Sequence, residues 1–344
     1  MKTLETNYFL IKPYLFVKAA FIAALLFLMG CGQNQVTYYS IAGETMGTTY
    51  HISYEGSNPT KLKQEIDDLL ISVNQSLSTY IPSSTISKIN SNESTKTDSR
   101  FTEVFEMAKE VNKNTEGAFD PTVGPLVNAW GFGFENANKV DSNLVDSLMN
   151  FVGFDLVSLT NSEIKKVDNN VIIDFSAIAK GYGVDIVAQL LNEKAIKNYM
   201  IEIGGEVYVK GENKEKSTWK LGINTPEEGS NNIFAIAAIN NGALATSGNY
   251  RNFKVVNGQK YVHTINPKTG YGVMSKLLSA SVFTNNCALA DAYATAFMVM
   301  GVEKSIEIAK NLDGVELYLI YLNEKNQLTT YSSIGMKDKV KVAF

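Results

Sequence analysis

The chain has 344 residues, with 31 Lys and Arg against 35 Asp and Glu, a net charge of -4, 45% hydrophobic and 19% charged residues. This is the composition of a globular protein long enough for a sizeable core, and it excludes a disordered chain, a collagen-like chain and a disulfide scaffold. The mildly acidic balance lacks a basic block and argues against nucleic acid as the main partner, while two His and two Cys are too few for a zinc site of the usual kind. Any catalytic metal should be a hard cation held by oxygen.

Residues 1–35 read as an address. Lys12 and Lys18 precede an apolar run over 19–29, too short to span a bilayer securely and matched to the core of a signal peptide. Leu28-Met29-Gly30-Cys31 resembles a bacterial lipobox, with cleavage before Cys31 and lipid on its thiol. An uncleaved signal anchor is the other reading. The expected organisation is a lipoprotein signal peptide over 1–30, lipidated Cys31 and a polar tether over 31–37, and a single domain over 38–344. The expected location is the bacterial cell envelope, lipid-anchored and facing the periplasm or another extracytoplasmic side. Cys287 would then be the only thiol of the mature chain, so no intramolecular disulfide can form.

Residues 36–42 and 48–54 read as strands around the turn-like Gly43-Glu44-Thr45-Met46-Gly47. Asn58-Pro59 opens a helix, Asn as cap and Pro in the first turn, and Leu62, Ile66, Leu69, Leu70 and Val73 give it an apolar stripe. Residues 99–114 read as a second helix. Strands are expected over 154–159 and 170–175, then a helix over 176–193. Strands follow over 199–203, 207–210, 219–224, 233–239, 260–265 and 278–284, broken by Gly and Asn turns. Helices over 287–300 and 302–311 and a strand over 315–322 complete the pattern, which argues for α+β rather than a βαβ repeat. No P-loop, dinucleotide fingerprint or G-x-S-x-G elbow is present.

Three segments carry candidate chemistry. In 287–300 nearly every residue is apolar, so the helix is buried on most sides. Asp291 and Thr295, four apart, share one face. A carboxylate there needs compensation: a magnesium ion, which prefers oxygen ligands, or a basic side chain or backbone amide, with Thr295 bonding its own helix. In Asp174-Phe175-Ser176-Ala177-Ile178-Ala179-Lys180-Gly181-Tyr182-Gly183 a strand runs into a helix. Ser176 is a plausible cap, the first-turn N–H groups favour an anion, and Lys180 suits phosphate; a surface Lys after an ordinary turn fits as well. Gly181 and Gly183 permit close approach of a ligand or of another backbone. In Tyr261-Val262-His263-Thr264-Ile265-Asn266-Pro267-Lys268-Thr269-Gly270, His263 is either a general base at a strand end or a structural His bonded to a carbonyl. His51 alternates with apolar residues in its strand and has no partner cluster. Phe119 in Gly117-Ala118-Phe119-Asp120-Pro121 is available to stack on a flat ring. Gly204-Gly205 and Ala245-Thr246-Ser247-Gly248 are close-approach turns or plain turns.

In this order, Glu44-Thr45-Met46-Gly47-Thr48, Ser78-Thr79-Tyr80, residues 117–124, residues 174–183, Ile203-Gly204-Gly205, Thr246-Ser247-Gly248, residues 263–270 and residues 291–295 resemble the ApbE family of FAD:protein FMN transferases. The resemblance covers roughly residues 40–335. It implies mixed, mostly antiparallel sheets with helices in two interleaved lobes of ApbE-like, T-fold-like type, and flavin in the cleft. It implies Mg²⁺-dependent transfer of FMN from FAD to a Thr or Ser hydroxyl of an acceptor protein, with release of AMP. The acceptors it implies are subunits of membrane redox pumps of the sodium-pumping NADH:quinone reductase or Rnf type. Met46, Tyr80, Ala118, Phe119, Asp120, Asp174, Lys180 and Ile265 are then expected to contact FAD. Asp291, Thr295 and the Ala177 carbonyl are expected to bind magnesium, and His263 to act as base. Some relatives place a second acid where this chain has Ala294, and the family usually has Asp where this chain has Asn266. An FAD pyrophosphatase giving FMN and AMP, or a non-catalytic FAD-binding lipoprotein, is the alternative.

Overall fold

A computed structural model of the chain describes residues 37–343 apart from 58, 132–139, 231, 250–252, 257, 258, 263 and 274. Tyr38–Phe344 form one compact unit. The signal peptide, Cys31 and all but the last residue of the tether lie outside the described residues, as does His263. Among the described residues no helix is long and apolar enough to cross a membrane.

Strands β1 (Tyr38–Thr45) and β2 (Thr48–Glu55) form a hairpin. Its turn is Met46-Gly47, at φ 51° and 71°, the left-handed pair that a two-residue hairpin requires. Helices α1 (Thr60–Leu77), α2 (Thr85–Asn90), α3 (Ser99–Asn114), α4 (Gly124–Ala129) and α5 (Ser142–Met149) follow, then the small hairpin β3 (Val157–Thr160) and β4 (Glu163–Lys166). Helix α6 (Ala179–Glu193) leads into β5 (Tyr199–Ile203), β6 (Glu206–Lys210), β7 (Trp219–Asn224), β8 (Ile233–Ile239) and β9 (Asn241–Gly248). Hairpin β10 (Phe253–Val256) and β11 (Gln259–Val262) precedes β12 (Leu277–Thr284), α7 (Cys287–Met300), α8 (Val302–Ala309), β13 (Glu316–Leu322), β14 (Leu328–Ser332) and β15 (Val340–Val342).

Eight strands pair antiparallel in the order β1-β2-β5-β6-β9-β12-β13-β14, and β15-β8-β7 make a second antiparallel sheet. This is the expected α+β architecture. The period of two in each strand sorts the large sheet's side chains onto two faces. Ala243, Ala245, Ala280, Val282, Leu317 and Leu319 join the core under the helices. Their neighbours Leu244, Phe283, Tyr318 and Ile320 face the smaller sheet's Leu221, Ile223, Ala235 and Ala237. The central strands of the large sheet are thus the middle of three layers, while the outer face of β1 and β2 is open to solvent.

Several local expectations differ from the structure. Residues 154–159 divide into a 3-10 turn, Phe154–Leu156, and β3. Residues 170–175 form no strand: the Asn90 side chain takes the place of a partner, accepting from the Ile173 N–H at 2.9 Å and donating to its carbonyl at 2.8 Å. The helix expected from Ser176 starts at Ala179, and Ser176 is not its cap. Asp174 claims the Ser176 N–H in a local turn at 2.8 Å, which delays the helix. Residues 245–248 are not a turn but the end of β9. His51 does have a partner: on the exposed surface its Nδ1 lies 3.0 Å from Glu202 Oε2, across the β2–β5 ladder.

Candidate active site

A cleft of about 680 Å³ opens where the start of α6, the middle of α7, the end of β9 and the β5–β6 turn meet. Its walls include Ala118, Phe119, Asp120, Asp174, Ala177, Lys180, Ile265, Asp291 and Thr295, residues dispersed over most of the sequence. Two expected contacts lie outside this wall. Met46 packs against α6, where a Cβ on Gly183 would fall 2.8 Å from its Cε. Tyr80 is 68% exposed beyond the end of α1.

The charged end of the cleft is built from three elements. Lys180 projects from the first turn of α6, and its Nζ lies 3.2 Å from Glu206 Oε1 and 3.7 Å from Asp291 Oδ2. Burial alone would lower the Lys180 pKa, but the Asp291 and Glu206 charges outweigh it and hold the ammonium above its ordinary range. Glu206 opens β6 directly after the Gly204-Gly205 turn and is buried. Burial pushes it up to about 8, against the pull of Lys180 and with that of Asp291. One lysine therefore faces two acids, and without further positive charge Glu206 keeps its proton near neutral pH.

Asp291 is buried, and its Oδ2 also accepts the Gly181 N–H at 3.2 Å. In a regular helix that N–H would reach Ala177 O; here the Ala177 carbonyl accepts no hydrogen bond among the described residues. Thr295, one turn beyond Asp291, does not bond its own helix: its Oγ1 lies 3.2 Å from Ser247 Oγ at the end of β9. Ala294 is fully buried in apolar surroundings. Among the described residues there is no cluster of three His, Cys, Asp or Glu, so any cation here relies on hydroxyl and carbonyl oxygens beside the acids.

The other walls are apolar or committed to local structure. Phe119, Val123, Val127, Ile265 and Pro267 line the far side, and Phe119 is only 3% exposed. The Asp120 carboxylate accepts from Thr122 N–H at 2.8 Å, Thr122 Oγ1 at 2.6 Å and Phe154 N–H at 2.9 Å. Burial outweighs these bonds and raises its pKa. Asp174 is raised by burial too, opposed by the Ser176 bonds. Asn266 Oδ1 accepts the Lys268 N–H at 2.8 Å, a turn contact that an Asp would make equally well.

Glu206 and Asp185 were not singled out by sequence reasoning. Asp185 accepts the Cys287 and Ala288 N–H groups at 2.8 Å each and so closes the start of α7. The signal for Glu206 was an acid in register with the helix-covered face of β6, and that coverage is visible only in the fold. Cys287 is a fully buried free thiol, raised well above its ordinary pKa by burial.

Comparison with known proteins adds a family. Residues 46–319 match the ApbE family. A Haemophilus influenzae protein named FAD:protein FMN transferase is 38% identical over 332 residues, covering 92% of this chain and 95% of its own. A Vibrio cholerae protein of the same name is 38% identical over 300 residues, covering 84% and 89%. The solved flavin transferase ApbE from Vibrio cholerae superposes with a TM-score of 0.81 at 34% identity, covering 88% of this chain and 99% of that one. The chain belongs to the ApbE family, an enzyme family whose relatives named here are transferases.

Proposed function

We propose that this chain is an FAD:protein FMN transferase: it transfers FMN from FAD to a Thr or Ser hydroxyl of an acceptor protein, in a Mg²⁺-dependent reaction that releases AMP. The observation that carries this reading is the charged end of the cleft. Lys180, Glu206 and Asp291 converge at the start of α6, a helix whose cap position, Ile178, supplies no side-chain bond. Of the first-turn amides, that of Ala179 goes to Phe175 O and that of Gly181 to Asp291, while that of Lys180 has no acceptor among the described residues; one open N–H at a positive helix end, beside a lysine, suits a diphosphate.

Ala118, Phe119, Asp120, Asp174, Lys180 and Ile265 contact FAD from the cleft walls in this reading, and Met46 and Tyr80 contact it from beyond them. The donor set fits a magnesium ion: Asp291, the Thr295 hydroxyl and the free Ala177 carbonyl are hard oxygens, and Asp291 shares one lysine with Glu206. The cation, when bound, neutralises charge on the phosphate oxygens. The Lys180 ammonium and its own N–H at the positive end of α6 orient the diphosphate, and such fixed positioning provides most of the catalysis in phosphoryl transfer. His263 takes the proton of the acceptor hydroxyl. The acceptor oxygen forms the new bond to the FMN phosphorus, and the bridging oxygen departs with AMP. Cys31 carries the lipid and residues 1–30 are removed. This places the domain on the outer side of a bacterial membrane, beside acceptors such as subunits of sodium-pumping NADH:quinone reductase or Rnf complexes.

The test is incubation with FAD, Mg²⁺ and a candidate acceptor subunit, followed by mass spectrometry. A covalent FMN adduct is expected. Free FMN with AMP indicates a hydrolase instead, and unchanged FAD a binder; either overturns the proposal. His263→Ala should slow transfer by about 10²–10⁴-fold with FAD affinity retained. Equal loss of binding and transfer removes the base role.

A further inference from the structure

Among the described residues three buried side-chain oxygens lack a hydrogen-bond partner: Glu206 Oε2, Ser279 Oγ and Tyr318 Oη. Only Glu206 of these lines the cleft. It is 5% exposed, and its other oxygen holds Lys180 Nζ at 3.2 Å. A buried carboxylate oxygen without a donor is costly, on the order of a few kcal/mol. Packing gives no reason for it, since an apolar residue would fill the same place beside Val207 on a covered sheet. The location is specific: Glu206 follows Gly204, at φ 58°, and Gly205, at φ 104°. That tight turn brings the strand start against Lys180, and a Cβ on Gly204 would sit 3.3 Å from the lysine Cδ.

We propose that Glu206 is a positioning residue with two partners: Oε1 fixes the Lys180 ammonium, and Oε2 accepts a hydrogen bond from a water molecule of the divalent cation held by Asp291 and Thr295. The inference rests on the reading of the cleft as a cation and diphosphate site. It explains why two acids share one lysine. Asp291 faces the cation directly, while Glu206 supplies the outer contact that orients its shell and keeps Lys180 from closing fully onto Asp291, from which it stands 3.7 Å away. Outer contacts of this kind set the affinity of a site nearly as much as its ligands do.

The experiment uses the full chain and Mn²⁺ as the probe, with binding followed by electron paramagnetic resonance of free Mn²⁺. Glu206→Gln keeps shape and can still accept from Lys180, but it lacks the charge; Glu206→Asp keeps the charge on a shorter arm. Glu206→Gln should weaken Mn²⁺ binding by about 10–100-fold with its melting temperature unchanged or raised, and Glu206→Asp should recover part of the affinity. Wild-type affinity for Mn²⁺ in Glu206→Gln overturns the proposal, and so does a wild type that binds no Mn²⁺. A wild type that binds Mn²⁺ and FAD, loses Mn²⁺ affinity on Glu206→Gln, and yet flavinylates no acceptor sinks the transferase reading alone.

Discussion

Helices α6 and α7 begin against one another, and their first turns are treated in opposite ways. The start of α7 is closed twice over: Asn286 accepts the Leu289 N–H at 2.8 Å, and Asp185 accepts those of Cys287 and Ala288. The start of α6 has Ile178 in the cap position with no side-chain bond; the Ala179 N–H goes to Phe175 O and that of Gly181 to Asp291, which leaves the Lys180 N–H without an acceptor among the described residues. Both ends are packed within the same core, so burial does not explain the difference. A helix start saturated by its own chain has no N–H left for a ligand; one left open at a cleft, beside a lysine, does. The contrast is between a helix end closed entirely by the chain and one that keeps the Lys180 N–H open at the cleft.

The strongest way to break this arrangement is at the contact itself. A Cβ on Gly181 would overlap the Cys287 carbonyl and lie 2.8 Å from Ala288 Cα, and neither backbone can yield. Gly181→Val should therefore destabilise the chain by about 3 kcal/mol or more, measured by urea denaturation. A near-neutral result would mean the two helix starts are not in rigid contact. Next comes Asp291→Ala, which should slow FMN transfer by about 100-fold or more, on the order of 2.7 kcal/mol, and abolish its response to Mg²⁺. A variant that is active and still magnesium-responsive removes Asp291 from the proposed ligands.

The opposite result is expected at the closed end. Asp185→Ala leaves two N–H groups of α7 without their acceptor and should cost about 2 kcal/mol of stability, while FAD affinity changes little. A loss of FAD affinity with no loss of stability would reverse the assignment of the two helix ends. The smallest effect is one of pH. Burial pushes Asp185 up to about 7 in spite of its two amide bonds, and the Asp291 charge adds to the rise. An unfolded Asp titrates near 3.9, so between roughly pH 4 and 7 the folded chain holds a proton here that the unfolded chain has lost. The stabilising contribution is complete below that window and disappears as pH rises through about 7. The stability of the wild type relative to Asp185→Asn should thus decline from about pH 4 to 7; a flat difference would place the Asp185 titration with that of exposed aspartates.

Much of the chain's local structure was legible from side-chain periodicity. The bounds of the helices Ser99–Asn114 and Cys287–Met300 agree with expectation at both ends, because each has an Asp or Asn cap and a coherent apolar pattern. Strands Tyr199–Ile203, Trp219–Asn224 and Ile233–Ile239 agree as well. The errors fall where a distant side chain overrides local preference. Asn90 keeps 170–175 from being a strand, and Asp174 displaces the helix start from Ser176. Short elements such as α2, α4 and α5 carry too few residues for a period to register.

For the site, helical spacing was enough to place an acid and a hydroxyl on one face of a greasy helix. The spacing of residues along one helix does not depend on the rest of the chain. The sequence also carried the family resemblance that the comparisons with known proteins bear out. Long-range packing set Lys180 between Asp291 and Glu206, turned Thr295 to Ser247, and closed the start of α7 with Asp185 while one N–H of α6 was left open. Those partners are separated by 26 to 111 positions in the chain for the lysine and by 48 for the threonine, distances over which no periodicity acts and only the packing of three layers brings charges together.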